Sequence, residues 1–350
     1  PGEETHPLWL LLESLFEKGH GPAIQAMEDS LTDQRLAPVA YRPLPPRQRW
    51  WQLPPEADIP RRKSESFSSL ESFLFNPFQW VLKYPAALNT SSILDVSEGV
   101  LLYGNLSHHL VERYVAEPFA LTQADSAFDA WFDEAFETLI SQEGAVLQMP
   151  GRQEELASFQ RKLRKAMHQL RSQWRAAKVV SVRSEERLEG QFVGGNISGY
   201  GDLLVVRENG EQAIIDMKWG GKAYADKLAN NRHLQLAIYG EIVRQWTGQW
   251  PRLAYFSFST GELLVTDRDY FPEARLVRKK DEVAEEGAAH LWQRFLVTWA
   301  WRRGQIDQGL IEVVLDEEGD TEPPEEGLVP EVLNTRYNDY LKLAGWGDEQ

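Results

Sequence analysis

The chain has 350 residues, of which 53 are acidic and 37 are basic, and its formal net charge is −16. Because it contains no cysteine, disulfide frameworks, thiolate zinc sites and iron–sulfur clusters are excluded. Its 42% share of hydrophobic residues is typical of a soluble globular protein. No apolar run is long enough to span a bilayer, so we expect a cytoplasmic protein without a membrane partner. A chain this acidic needs a local basic surface if it is to bind nucleic acid.

The first half of the chain is predicted to be mainly helical. Apolar residues at helical spacing over residues 7–30 predict a helical lead-in, and the prolines between residues 37 and 62 predict an extended linker. We assign residues 1–64 to this lead-in and linker. Four further helices are predicted, each ending near a proline or glycine signal, over residues 68–84, 97–116, 123–142 and 152–177.

After residue 178 the pattern changes to short strands rich in β-branched residues. Strands are predicted over residues 179–182, 190–193, 201–206 and 213–219. The Asn209-Gly210 pair between the last two favours a hairpin. The remaining predicted elements are a helix over about 231–246, strands over 253–259 and 263–266, a helix over about 283–303, an acidic stretch over 316–327 and a last helix over 329–344.

Two acids and a lysine occupy unusual positions on the predicted strands. Asp202 lies at the mouth of one apolar strand, and Asp216 and Lys218 point to the same face of the next one because side chains alternate along a strand. If the hairpin brings Asp202 beside Asp216, the two carboxylates repel unless a hard cation such as Mg²⁺ lies between them. Lys218 would then neutralise charge on a phosphate or orient a water molecule. A simple ion pair at a strand end is the alternative interpretation.

Two helical patterns add polar candidates. His108 and Glu112 are four residues apart and share a helix face, from which His109 points away. A single helical histidine is usually structural or exposed, but it is also a plausible ligand for Mn²⁺. Gln235 and Tyr239 share a face of the helix that follows the Asp216 strand, where they either belong to an amphipathic packing helix or contact a phosphate.

The helix predicted over residues 152–177 carries a row of basic side chains with a tryptophan among them. Such a row can follow a DNA backbone while the aromatic ring stacks on bases. It can equally be a solvated face that nearby acids balance. The side chains that we expect to bind DNA are Arg161, Arg164, Lys165, Arg171, Trp174 and Arg175.

Five motifs, taken in order, resemble the RecB/AddB-like branch of the PD-(D/E)XK nuclease superfamily, which is also similar to the CRISPR-adaptation nucleases. They are the segment from Ser66 to Phe78, Gly104 with His108 and Glu112, Gly199 with Asp202, Asp216 with Lys218, and Gln235 with Tyr239. The resemblance implies that His108, Asp202, Asp216 and the main-chain carbonyl of Met217 bind Mg²⁺ or Mn²⁺. It also implies a catalytic role for Lys218, with Asp202, Asp216, Gln235 and Tyr239 completing the catalytic site.

The same resemblance implies an α/β fold. A restriction-endonuclease-like core, with a central mixed β-sheet flanked by helices, would follow a helical N-terminal half. We place the nuclease domain at residues 65–310 and an acidic linker with a C-terminal helix at residues 311–350. Within the nuclease domain we expect a helical part over 65–178, a β-rich catalytic core over 179–270 and a closing helix over 281–304.

The expected function is hydrolysis of phosphodiester bonds in single-stranded or broken-end DNA, in repair, recombination or defence. A helicase, another protein subunit or an upstream part of a longer chain is the implied partner. Many nucleases of the families that the chain resembles have the first iron–sulfur cysteine at the position of Asn76, so we expect no cluster. The sequence also contains no complete phosphate-binding loop, so we expect no ATP site. The alternatives are a catalytically inactive nuclease-fold module that binds DNA or scaffolds a helicase-nuclease assembly, and an enzyme that cleaves RNA.

Overall fold

Helices dominate the first half of the chain and strands the second, as the apolar periodicity predicts. The computed structural model describes residues 47–89, 98–277, 287–315, 323–329 and 340–346, which all belong to one unit spanning residues 46–350. The predicted lead-in helix over 7–30 lies outside these residues, as do most of the predicted acidic stretch and of the last helix. No helix among the described residues is long and apolar enough to cross a membrane.

The strands of the described residues form a small two-stranded sheet and a larger mixed one. The small sheet pairs β1 antiparallel with β9, and the larger sheet has the order β2-β4-β5-β6-β7-β8, with β3 paired to β4. The strands are β1 Trp50–Gln52, β2 Ser64–Glu65, β3 Val179–Phe192, β4 Gly195–Arg207, β5 Gln212–Lys218, β6 Arg252–Ser257, β7 Glu262–Val265, β8 Arg275–Leu276 and β9 Leu310–Glu312. Parallel pairs (β2 with β4, β5 with β6, β7 with β8) alternate with antiparallel ones.

Eight α-helices lie among the described residues. They are α1 Phe67–Phe75, α2 Pro77–Lys83, α3 Gly99–Val115, α4 Asp125–Glu143, α5 Gln153–Ala176, α6 Lys222–Ala229, α7 Leu234–Thr247 and α8 Ala288–Asp307. Short 3-10 helices span Ala145–Gln148 and Leu341–Ala344. Helices α3, α4 and α5 bury one face of the sheet, and α1, α2, α6, α7 and α8 bury the other. A central mixed sheet flanked by helices confirms the predicted fold class.

Local sequence signals account for the tight connections near the site. Gly210 has φ +84°, and the Arg207 N–H donates to the Glu211 carbonyl across the turn, as the Asn-Gly pair predicts for a β4–β5 hairpin. The predicted helix over 68–84 divides at Pro77, whose ring cannot donate a backbone hydrogen bond. Asn76 caps the second part, because its side chain accepts from the Gln79 N–H at 3.3 Å.

Three elements differ from the sequence prediction. Three of the predicted short strands between residues 179 and 206 are parts of one long hairpin, β3 and β4, whose pairing extends across polar stretches and shifts register once, between Val179 and Ser181. The predicted helix over 231–246 is preceded by the separate α6. Residues 50–52, within the predicted linker, form β1. In each case the element depends on a distant pairing or packing partner, which local patterns do not record.

Aromatic packing joins the first helices to α8. The Phe73 ring lies 4.9 Å from the Trp80 ring and 6.1 Å from the Trp299 ring, measured between centroids. The guanidinium of Arg302 donates to the Leu74 carbonyl at 3.2 Å. With no cysteine in the chain there is no iron–sulfur cluster, and these contacts connect α1 to α8 instead.

Candidate metal-dependent active site

An interruption in strand pairing opens the sheet where the predicted site residues meet. Strand β4 pairs with β3 along its length, so β2 and β5 share its other edge. On that edge β2 covers residues 196 and 197, and β5 covers residues 203 to 206. Leu203 pairs with Ile215, so Asp202 and Asp216 are the next residues of the two strands beyond the last pair. The hairpin therefore brings the two carboxylates together, as the sequence predicts.

Asp216 is a buried carboxylate held beside a lysine. It is 1% exposed, and its Oδ2 lies 2.9 Å from Nζ of Lys218. Neither carboxylate oxygen makes a hydrogen bond of good geometry with the residues that the structure describes. Burial, followed by repulsion from Asp202, raises the pKa of Asp216 to about 7. Buried, underbonded oxygens of this kind fit a cation site, since a hard cation would supply the missing partner.

Asp202 and Lys218 complete the centre of the site. The Met217 N–H donates to Oδ2 of Asp202 at 2.6 Å. Burial raises the pKa of Asp202 to about 6, against the opposing attraction of Lys218. For Lys218, burial alone would lower the pKa, but the carboxylates of Asp216 and Asp202 raise it above its usual value. Lys218 therefore keeps its proton at neutral pH.

Helix α3 brings His108 to the same point from the helical layer that it forms with α4 and α5. Its Nε2 lies 2.8 Å from the Met217 carbonyl oxygen, and its Nδ1 lies 3.8 Å from Oδ2 of Asp202. Burial lowers the pKa of His108, so the imidazole is neutral at pH 7 and can offer a lone pair. Because a carbonyl oxygen only accepts, the Nε2–H of His108 donates this hydrogen bond and the lone pair lies on Nδ1, toward Asp202. The 2.8 Å separation also fits two neighbouring ligands of an octahedral ion, which lie about 3 Å apart when each bond is about 2.1 Å. His109 points away and contacts Glu143.

Glu185 joins the site although no sequence motif points to it. The ligand atoms of His108, Glu185 and Asp202 lie within 4.8 Å of one another, a grouping that does not contain Asp216. On β3 the neighbouring pairs, Ser184 with Leu203 and Glu186 with Gly201, place Glu185 opposite Asp202. Its backbone has φ +48°, which is unusual for a residue with a side chain. An irregular backbone at a cluster of carboxylates is typical of a functional position.

Gln235 and Tyr239 approach from α7 on the other side of the sheet. Burial raises the pKa of Tyr239 to about 12, and a hydrogen bond links its phenol to Gln235. A Cβ at Gly199 would lie 2.8 Å from Cε1 and 2.9 Å from Oη of Tyr239. The glycine of the Gly-x-x-Asp pattern therefore provides the space in which the tyrosine ring packs against β4, three residues before Asp202.

Most of the predicted DNA-binding side chains of α5 are buried or paired with acids, several of them on α4. Arg171 is 3% exposed in its side chain and contacts Asp125 at 2.9 Å, and Trp174 is buried in the core. Arg175 also pairs with Asp125, Arg164 with Asp133, and Arg161 with Glu154, while Lys165 is exposed. The ion pairs of these arginines are with Asp125, Asp133 and Glu154, and not with the residues around Asp202. Their contacts fit the alternative that the sequence left open, a charged face balanced by nearby acids.

A family model described as "PD-(D/E)XK nuclease superfamily" matches residues 64–311, which is well over half of the chain. The chain belongs to the PD-(D/E)XK nuclease superfamily. One match among solved structures is a "Putative exonuclease" from Eubacterium rectale, with 14% sequence identity and a TM-score of 0.37. The alignment covers 73% of this chain and 86% of that one. No curated protein matches the chain.

The chain is therefore a member of a nuclease superfamily, whose enzymes use divalent metals. The residues at the sheet opening fit such an ion, because the donors are carboxylates, one carbonyl and a neutral imidazole. One of the carboxylates, Asp216, is buried with Lys218 beside it but with no hydrogen bond of good geometry from the described residues.

Proposed function

We propose that this chain is a metal-dependent deoxyribonuclease of the RecB/AddB-like branch that hydrolyses phosphodiester bonds in single-stranded or broken-end DNA. The observation that carries this proposal is the meeting of Asp202, Asp216 and Lys218 at the unpaired stretch of β4, with His108 and the Met217 carbonyl 2.8 Å apart beside them. DNA repair, recombination or defence, together with a helicase-bearing partner, is the setting that the sequence resemblance suggests.

In this proposal the acids and the histidine hold the ion and the lysine acts on the substrate. His108, Asp202, Asp216 and the Met217 carbonyl would hold Mg²⁺ or Mn²⁺, and we add Glu185 to this set because of its position in the cluster. When bound, such an ion activates a water molecule and neutralises charge on the phosphate. Because Lys218 keeps its proton, it stabilises the negative charge of the transition state rather than accepting a proton.

A pair of alanine variants tests this division of roles. Asp216→Ala removes a ligand, so it should abolish cleavage and weaken metal binding together. Lys218→Ala leaves the carboxylates in place, so metal should still bind while hydrolysis falls by several orders of magnitude. Calorimetric titration with Mn²⁺ and a cleavage time course, run on both variants and the parent, measure the two effects. Cleavage at the parental rate by Lys218→Ala would return the Asp216–Lys218 contact to a strand-end ion pair.

The choice of substrate separates the proposed function from its alternatives. The parent protein with Mg²⁺ or Mn²⁺ is incubated with linear single-stranded, linear blunt and circular DNA, and with RNA of the same sequence as the single strand. Cleavage of linear single-stranded or blunt-ended DNA, with the circle and the RNA resistant, is the expected result. Binding of DNA without cleavage in either metal would favour an inactive nuclease-fold module, and cleavage of RNA alone would favour a ribonuclease.

A further inference from the structure

A cavity of about 220 Å³ opens directly beside Lys218, between α1, α6 and α7. Its polar lining consists of Lys218, Lys227, Arg232, Gln235 and Glu71, and aromatic rings form much of the rest of its wall. Lys218 and Gln235 belong both to this lining and to the candidate active site, so the cavity is continuous with it. The cavity lies on the α7 side of the sheet, whereas His108 reaches the site from the layer that contains α3.

The cavity collects positive charge in an acidic protein. Three of its lining residues are cationic and one, Glu71, is acidic, although the whole chain carries a formal charge of −16. Lys218 is engaged by Asp216. The exposed guanidinium of Arg232, in contrast, makes no hydrogen bond or ion pair with any residue in the part of the chain that the structure describes. Arg232 thus presents unused donors at the mouth of the cavity.

The loop that carries Arg232 is fixed by its backbone. The Arg232 N–H donates to the Lys227 carbonyl at 2.8 Å, and the Asn231 N–H donates to the Leu228 carbonyl. Asn231 adopts a left-handed conformation with φ +51°. The imidazole of His233, 4% exposed, also hydrogen-bonds to the backbone of Lys227. The position of the Arg232 backbone beside Lys227 is therefore set before any ligand arrives, which reduces the entropy cost of binding.

We propose that this cavity binds a phosphate group of the nucleic-acid strand, next to the bond that is cleaved at Lys218, and that Arg232 is its anchoring residue. This inference rests on the proposed nuclease function and identifies a substrate contact at the same site. A guanidinium binds phosphate oxygens with two parallel hydrogen bonds. The cavity is smaller than the roughly 300–1,000 Å³ of sites for drug-sized ligands, so it suits a phosphate better than a whole nucleoside.

Binding is tested on the metal-free protein, so that the result does not depend on cleavage. The probes are three thymidine dinucleotides, one with a 5′-phosphate, one with a 3′-phosphate and one with neither, and the readout is the melting temperature in EDTA. We expect the parent to be stabilised, Arg232→Ala to lose the effect, and Arg232→Lys to keep part of it. The matched control is Lys222→Ala, which removes an exposed cation of α6 that does not line the cavity.

The three probes distinguish the sources of the phosphate. Stabilisation by one phosphorylated probe alone identifies a 5′ or a 3′ terminal phosphate, and equal stabilisation by all three identifies the internal phosphodiester. The proposal is overturned if no probe stabilises the parent, or if Arg232→Ala responds like the parent.

In cleavage assays Arg232→Ala should raise KM about ten- to hundredfold with unchanged Mn²⁺ affinity. If the parent binds the probes but does not cleave DNA, the proposed nuclease function fails while the phosphate site stands.

Discussion

Replacing Asp216 by asparagine should stabilise the metal-free protein at alkaline pH. The substitution keeps the shape of the side chain and removes a carboxylate that is 1% exposed. The folded-state pKa of about 7 lies above the ordinary aspartate pKa of 3.8. The folded state therefore binds more protons than the unfolded state between these values, and this carboxyl makes the parent less stable as pH rises from about 4 to about 7. Asp216→Asn has no carboxyl at this position, so its stability does not fall for this reason as the pH rises.

The magnitude follows from the two pKa values. A rise from 3.8 to about 7 corresponds to roughly 4 kcal/mol, at about 1.4 kcal/mol for each tenfold change in the proton-binding constant. The attraction of Lys218 is already contained in the folded-state pKa, so its loss needs no separate correction. We expect Asp216→Asn to exceed the parent by up to about 4 kcal/mol in free energy of unfolding at pH 8, or about 8 °C in melting temperature, and by much less at pH 5.

Urea unfolding followed by tryptophan fluorescence at pH 5, 6, 7 and 8 in EDTA measures this difference. The control is Asp226→Asn, which removes an exposed carboxylate of α6 in place of the buried one. Added Mn²⁺ should stabilise the parent at pH 8 and not Asp216→Asn, because a bound ion requires the ionised carboxylate. An equal difference between Asp216→Asn and the parent at pH 5 and pH 8 would refute the buried-carboxylate argument.

Three further variants test other parts of the site. Glu185→Gln should lower Mn²⁺ affinity by about tenfold or more, because fewer ligand charges weaken binding. The control at the neighbouring position, Glu186→Gln, should bind Mn²⁺ like the parent. If calorimetry gave Glu185→Gln the same Mn²⁺ affinity as the parent, Glu185 would not be a ligand. Gly199→Ala should displace the Tyr239 ring and cost about 1–3 kcal/mol of unfolding free energy, with slower cleavage and unchanged metal binding; unchanged stability and cleavage would contradict the close packing. Lys165→Glu should weaken DNA binding and reduce the salt slope by about 1 if α5 contacts the backbone, whereas an unchanged slope would leave α5 a structural layer.

The sequence by itself determined the order of the motifs and the elements that carry them. Asn209-Gly210 predicts the hairpin, and strand alternation places Asp216 and Lys218 on one face, because both signals act within a few residues. The same local logic predicts that Asp202 meets Asp216 once the hairpin closes. The resemblance to a nuclease superfamily rests on these motifs, and the family model confirms the superfamily.

The tertiary structure alone decided which charged residues have partners. The role of α5 could not be predicted because the acids that pair with Arg164, Arg171 and Arg175 lie on α4, some 30 to 50 positions earlier in the chain. Glu185 gave no sequence signal either, since its approach to His108 depends on the register of β3 with β4 and on its own positive φ. Arg232 enters the candidate site only because α1, α6 and α7 enclose one cavity. Charge interactions depend on distance in space and leave no periodic pattern in the sequence. Turns and strand faces, in contrast, correspond to local sequence patterns.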